Sequence, residues 1–91
     1  MFKIIKPEDT NVLNWEFRFS KNLITLLDLE NVKFIDSMSL SVILVHKERV
    51  ILINVNDFVM RIIDCLNCTR KLKICNNLEE AKKLAEELYT S

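Results

Sequence analysis

Apolar and polar residues along the chain follow two spacings, one typical of strands and one typical of helices. Short, mainly apolar runs favour strands of a sheet that is covered on both faces. The last of these runs alternates with a lysine, as expected nearer a sheet edge. Strands are predicted at Phe2–Ile5, Leu23–Leu29, Val50–Ile53 and Leu72–Cys75.

The first helical signal begins at Asp36, directly after the apolar pair that ends at Ile35. Aspartate is a good N-cap because its carboxylate accepts from the open N–H groups of the first turn. Ile35 and Leu40 then occupy the two positions of a hydrophobic staple. We expect this helix to end near Lys47, whose charge suits a helix C-terminus.

Two further helices carry similar start signals. Asn56 is an N-cap candidate with Val55 and Met60 in staple positions, and Asn77 precedes Glu80 by three residues, as in a capping box. The helix that follows Asn56 has one wide apolar face. That face consists of Phe58, Val59, Ile62, Ile63 and Leu66.

The segment Trp15–Phe19 alternates aromatic and charged residues, which favours a half-buried strand. A helix over Val12–Phe19 stays open as the alternative. From Leu23 onward, strands and helices alternate, which predicts an α/β fold with a mainly parallel sheet and crossover helices in a single domain, residues 1–91. Binding sites of such sheets gather at the carboxyl ends of the strands, where Asp36 and Ser37 follow.

Composition narrows the possible functions. Thirteen basic and thirteen acidic residues cancel, and this neutrality argues against a nucleic-acid partner. No apolar run approaches the length of a membrane span, and the N-terminal sequence has no secretory apolar region. We therefore expect a cytoplasmic protein without direct membrane insertion. Glycine is absent, so turns must rely on Asn and Asp.

The cysteines Cys65, Cys68 and Cys75 are too few for a four-ligand zinc site, and His46 lies on a different predicted helix. We expect buried, reduced thiols and no metal. A thiol-redox protein using Cys65 and Cys68 is an alternative of another class. No catalytic triad order or phosphate-binding glycine loop is visible, so the sequence favours a non-enzymatic protein without a cofactor.

A strand ending in Asp28-Leu29, a short turn, the pair Phe34-Ile35 and then Asp36-Ser37 at a helix start resemble the core signature of STAS domains. These are anti-sigma factor antagonists and cytosolic domains of anion transporters. The resemblance covers roughly residues 23–88. STAS domains normally have a helix between their second and third strands, so a strand at Trp15–Phe19 implies a shortened N-terminal part, rebuilt as a hairpin.

The resemblance implies a regulatory domain that binds an anti-sigma factor or serine kinase and is switched by phosphorylation of Ser37. The alternative that it implies is a constitutive scaffold on a transporter ATPase. Met38 and Ser39 favour this alternative, because the family often has a small residue at the first position and glycine at the second. Either version is expected to be a monomer or a weak homodimer. The expected partner-binding residues are Asp36, Ser37, Met38, Ser39, Asn54 and Asn56.

Overall fold

Four parallel strands form the centre of the computed structural model, which describes residues 2–7, 22–67 and 70–90. The strands lie side by side in chain order. They are β1 Phe2–Ile5, β2 Ile24–Asp28, β3 Val50–Ile53 and β4 Lys73–Cys75.

Three α-helices connect and cover these strands. The first links β2 to β3, the second links β3 to β4, and the third follows β4. They are α1 Ser37–Val45, α2 Asp57–Cys65 and α3 Leu78–Thr90, with a 3₁₀ turn at Lys47–Arg49 after α1. None of the helices in the described ranges combines the length and apolar character needed to cross a bilayer.

The sheet has a hydrophobic core on each face. Leu27 of β2 and Leu52 of β3 point towards α1 and α2, whereas their neighbours Leu26 and Ile51 point towards α3. Each pair is in register between the two strands. Because successive side chains of a strand point to opposite faces, both faces of the central strands are buried and favour apolar residues. This explains the unbroken apolar run of β3 and the mainly apolar run of β2, in which Thr25 and Asp28 are the buried polar residues.

The structure confirms the predicted α/β fold class with its mainly parallel sheet. Within the described residues, all four strands are parallel. The predicted end of α1 near Lys47 is confirmed, since α1 ends at Val45 and His46 is its C-cap. The strand predicted at Trp15–Phe19, and with it the expected hairpin, lies outside the described residues. Phe2 of β1 pairs with Ile24 of β2 in parallel, so these two strands do not form a hairpin with each other.

Candidate functional site

The carboxyl ends of β2 and β3 are joined by Asp28, the last residue of β2. Its Oδ1 accepts hydrogen bonds from the Glu30 backbone N–H at 3.0 Å and from Nδ2 of Asn54 at 3.1 Å. Asn54 follows β3 directly and has a positive φ of 55°. Asparagine tolerates this left-handed conformation better than most residues, which suits a chain without glycine. The contact holds two neighbouring loops at the same edge of the sheet.

Asn56 holds the start of α2 against the loop before α1. Its Oδ1 accepts from the Val59 N–H at 2.8 Å, which confirms the predicted N-cap, and its Nδ2 donates to the Val32 carbonyl at 2.7 Å. Both polar groups of this side chain therefore have partners within the chain. Asn56 fixes the geometry of the site, and its role in partner binding stays a prediction.

Asp36 is the N-cap of α1, as the sequence predicted. Its Oδ1 accepts from the Ser39 backbone N–H at 2.7 Å, and its carbonyl accepts from the Leu40 N–H at 3.0 Å. The hydrogen bond from the Ser39 backbone lowers the pKa of Asp36 below its ordinary value. The carboxylate thus stays ionised at neutral pH and sets the direction in which α1 begins.

Ser37 is the first residue of α1 and is exposed. Its carbonyl accepts from Oγ of Ser41, one turn further along the helix, at 2.8 Å. Beside it, 64% of the Met38 surface is exposed. Ser39, one of the expected partner-binding residues, is only 7% exposed. It lies next to the core residue Leu40 on the side of α1 that faces the sheet, so Ser37 is the accessible hydroxyl of the first turn.

An open groove of about 390 Å³ lies between the start of α1 and α2. Its α2 wall consists of residues spaced three and four apart, which share one side of a helix. The loop before α1 supplies the opposite wall. The lining residues are Phe34, Ile35, Asp36, Ser37, Phe58, Arg61, Ile62, Cys65 and Leu66.

Three apolar side chains of this groove are exposed: Phe34 by 50%, Phe58 by 57% and Leu66 by 43%. Their helical spacing predicts Phe58 and Leu66 on the apolar face of a helix but does not predict that they line a groove. The sequence signal for the groove was the width of the apolar face of α2, which exceeds the width that one helix needs to cover a sheet.

Two charged residues line the groove, Asp36 at one end and Arg61 on α2. Asp36 accepts the Ser39 N–H through one oxygen and keeps its negative charge at the helix start. Arg61 has no ion-pair partner among the described residues. The N-terminal turn of α1 adds open N–H groups and the positive end of the helix dipole. The groove is therefore mainly apolar, with one acidic and one basic side chain among its described lining residues.

The expectation of buried cysteines is wrong for Cys65, which is exposed and lines the groove, and Cys75 is half-buried. Both are free thiols, and Cys68 lies outside the described residues. Burial, followed by the charge of Glu80, raises the pKa of the Cys75 thiol. Within the described ranges, no three potential metal ligands come together.

No protein-family model matches the sequence, and no curated protein matches it. Two solved structures of one protein from Thermotoga maritima, TM1081, do resemble the chain. The crystal structure, of a protein provisionally assigned as an anti-sigma factor antagonist, has a TM-score of 0.77 at 24% identity and covers 91% of this chain and 86% of that one. The NMR structure has a TM-score of 0.72 at 28% identity and covers 97% and 82%.

The fold and the site together define a small α/β domain whose strand ends carry an exposed helix start beside an apolar groove. The likeness to TM1081 shows that this fold is of the STAS type found in anti-sigma factor antagonists. The STAS-type fold that Asp28-Leu29 and Asp36-Ser37 led us to expect is thereby confirmed.

Proposed function

We propose that the chain is a non-enzymatic, cytoplasmic regulatory domain that binds a partner protein at the carboxyl ends of β2 and β3. The observation that carries the proposal is the exposed Ser37, held at the start of α1 by the Asp36 cap and bordered by exposed apolar side chains. The similarity to TM1081 supports the regulatory class. The proposed partner is a serine kinase or anti-sigma factor.

A fixed backbone supports this role. Asp28 and Asn54 join the ends of β2 and β3, and Asn56 joins α2 to the loop at Val32. A surface held by such contacts loses little conformational freedom when a partner binds, so less of the binding free energy is spent on ordering it. Within this surface, Asn54 and Met38 are exposed and offer direct contacts.

Phosphorylation of Ser37 is the proposed switch. A phosphate adds a charge of roughly −1.5 to −2 at neutral pH, and the first turn of α1 offers N–H groups and a favourable dipole to it. The modification therefore leaves the fold intact. Met38 and Phe34 would surround the phosphate with apolar surface in a complex, and burying a charge against such surface opposes binding. The partner kinase would supply ATP and magnesium, and this chain needs no cofactor.

The experiment incubates the protein with the serine kinase encoded near its gene and locates phosphate by mass spectrometry. We expect phosphate on Ser37 in the wild type and none in Ser37→Ala. Ser37→Asp should weaken binding by about fivefold to a hundredfold, because an unpaired polar group at an interface costs roughly 1–3 kcal/mol and 1.4 kcal/mol is tenfold. Lys82→Glu, an exposed position on α3 at the opposite face of the sheet, is the control and should bind normally. Unmodified Ser37 together with full binding by Ser37→Asp would overturn the switch.

A constitutive scaffold on a transporter ATPase is the second candidate. Met38 favours it, because a large exposed apolar side chain beside Ser37 suits a permanent contact. In that case the ATPase should co-purify with the protein, Ser37→Ala should be fully functional, and Met38→Ala should weaken the complex. A complex that dissociates when Ser37 is phosphorylated would exclude this candidate.

A further inference from the structure

The apolar face of α2 is wider than the core requires. Val59 and Ile63 are fully buried against the sheet. Phe58 and Leu66, on the adjacent stripe of the same helix, are exposed and line the groove, while Ile62 between the two stripes is partly buried. Exposing large apolar side chains in a contiguous stripe is unfavourable in water, and such stripes mark interaction surfaces.

The dimensions of the groove suit a short segment of a protein. Its α2 wall extends from Phe58 to Leu66, and eight residues at a rise of 1.5 Å correspond to about 12 Å, or roughly two helical turns. Phe34 forms the opposite side and the buried Ile35 lies beside it. The groove is open and shallow, so it admits a segment that keeps one side in solvent.

The lining residues also favour one backbone conformation of the bound segment. Side chains line the α2 wall, and a helix offers no strand edge for main-chain pairing. An α-helix satisfies its backbone hydrogen bonds internally, so it can pack on this wall without main-chain pairing. The helix-in-groove mode of recognition uses such packing, with apolar anchors at spacings of three and four residues.

The basic side chain in the groove favours an acidic side chain on the bound helix. Among the described residues, Arg61 is the basic side chain of the lining. A carboxylate complements a guanidinium in charge and in its two-pronged geometry. Asp36 and Arg61 form no ion pair with each other, so the Arg61 guanidinium can accept a carboxylate of the occupant as a partner.

We propose that this groove binds an amphipathic helix of the partner protein, with two or more apolar side chains between Phe34 and Phe58 and an acidic residue paired with Arg61. The proposal rests on the proposed function in that it names the chemistry of the partner. In the proposed complex, α2 makes most of the contact with the partner helix, and Ser37 lies at the rim of the groove.

The experiment selects displayed random 15-residue peptides on the folded wild-type protein and on Arg61→Glu. On the wild type, we expect peptides with apolar residues at helical spacing and an acidic residue at a constant distance from them. On Arg61→Glu, the acidic position should change to lysine or arginine. Lys82→Glu on α3, which packs on the opposite face of the sheet, is the charge-matched control and should select the same peptides as the wild type.

The affinity of one selected peptide is then measured on groove variants. Phe58→Ala should weaken it by at least about tenfold, as expected for an aromatic anchor that contributes more than about 1.4 kcal/mol. Phe34→Ala, on the opposite wall, is a second variant in case the first affects folding. Circular dichroism verifies that each variant is folded.

Several results would overturn the proposal. These are the absence of enriched peptides, an enrichment that Arg61→Glu does not change, and binding that neither Phe34→Ala nor Phe58→Ala weakens. A wild-type dimer that Phe58→Ala dissociates in sedimentation would show a second copy in the groove. A fatty acid retained by the wild type and lost from Arg61→Glu would show a lipid there. If any of these occurs while Ser37→Asp still weakens partner binding, only the helix proposal fails.

Discussion

The Asn54 side chain donates a hydrogen bond of 3.1 Å to the carboxylate of Asp28, joining the residue after β3 to the last residue of β2. The two positions are 26 residues apart in sequence. Asp28 is almost buried, so its carboxylate needs such donors to offset the water that it has lost. The contact therefore stabilises the edge of the sheet from which α1 and α2 begin.

Two substitutions of Asn54 should separate the contribution of its hydrogen bond to stability from that of its left-handed backbone conformation. Asn54→Gly keeps the positive φ accessible and removes the donor, so we expect a loss of about 1–2 kcal/mol in the free energy of unfolding. Asn54→Ala removes the donor and also disfavours the left-handed backbone, so it should cost about 1 kcal/mol more. Urea unfolding monitored by circular dichroism measures both values.

Asn67 provides the matched control, because it has the same φ of 55° at an exposed position after α2. Asn67→Gly should change the free energy of unfolding by less than about 0.5 kcal/mol, as for surface positions in general. If Asn54→Gly is equally harmless, the contact between Asn54 and Asp28 does not stabilise this edge.

Asn56 should contribute to stability through two separate hydrogen bonds. Asn56→Asp keeps an N-cap acceptor for the Val59 N–H but loses the donor to the Val32 carbonyl, so it should cost about 1 kcal/mol. Asn56→Ala loses both bonds and should cost about 2 kcal/mol. Urea unfolding of the two variants gives the difference. Equal losses would mean that the bond to Val32 contributes nothing.

The starts of the helices could be predicted from sequence because they depend on neighbouring residues. Asp36 and Asn56 cap α1 and α2 as expected, and the Oδ1 atom of Asn77 accepts from the Glu80 N–H at 2.9 Å. Each cap involves a side chain and a backbone N–H three residues later. The predicted bounds of β3 are also confirmed. Both of its faces are covered, so every position is apolar and the run is visible in the sequence.

The candidate groove could not be predicted in the same way, because it depends on how much of α2 the core covers. Helical spacing places Phe58 and Val59 on one apolar face, yet the sheet covers only Val59. The burial of Ser39 and the exposure of Cys65 have the same origin. Each depends on the rotation of a helix about its axis, which is set by packing against distant residues.

Asp36 should make stability depend on pH in the acid range. Its pKa is lowered in the folded protein from the ordinary value of 3.8, so the ionised cap stabilises the fold above that value, and this contribution is lost as the pH falls through the lower folded pKa. Asp36→Asn keeps a capping oxygen that does not titrate. The stability of the wild type relative to Asp36→Asn should therefore decrease between pH 5 and pH 2 (about the range in which such a carboxyl titrates).

Urea unfolding of both proteins across that range measures the difference. All other carboxyl groups are shared by the two proteins, so their titration cancels in the comparison. A difference that stays constant with pH would mean that the charge of Asp36 does not contribute to the cap.

The two stripes of α2 should respond differently to truncation. Ile63 is fully buried in the core, so Ile63→Ala should lower the free energy of unfolding by about 2–5 kcal/mol. Phe58 is mainly exposed, so Phe58→Ala should lower it by less than about 1 kcal/mol. Leu66→Ala, at the other end of the exposed stripe, should resemble Phe58→Ala. Urea unfolding of the three variants measures these losses.

The comparison matters because an open groove requires Phe58 and Leu66 to contribute little to the core. A loss for Phe58→Ala as large as that for Ile63→Ala would mean that the ring is packed in solution and that the groove is closed. A small loss would mean that the aromatic ring is kept on the surface without a benefit to folding. Its retention there would then need a partner to explain it, because exposed aromatic surface favours aggregation unless it is covered.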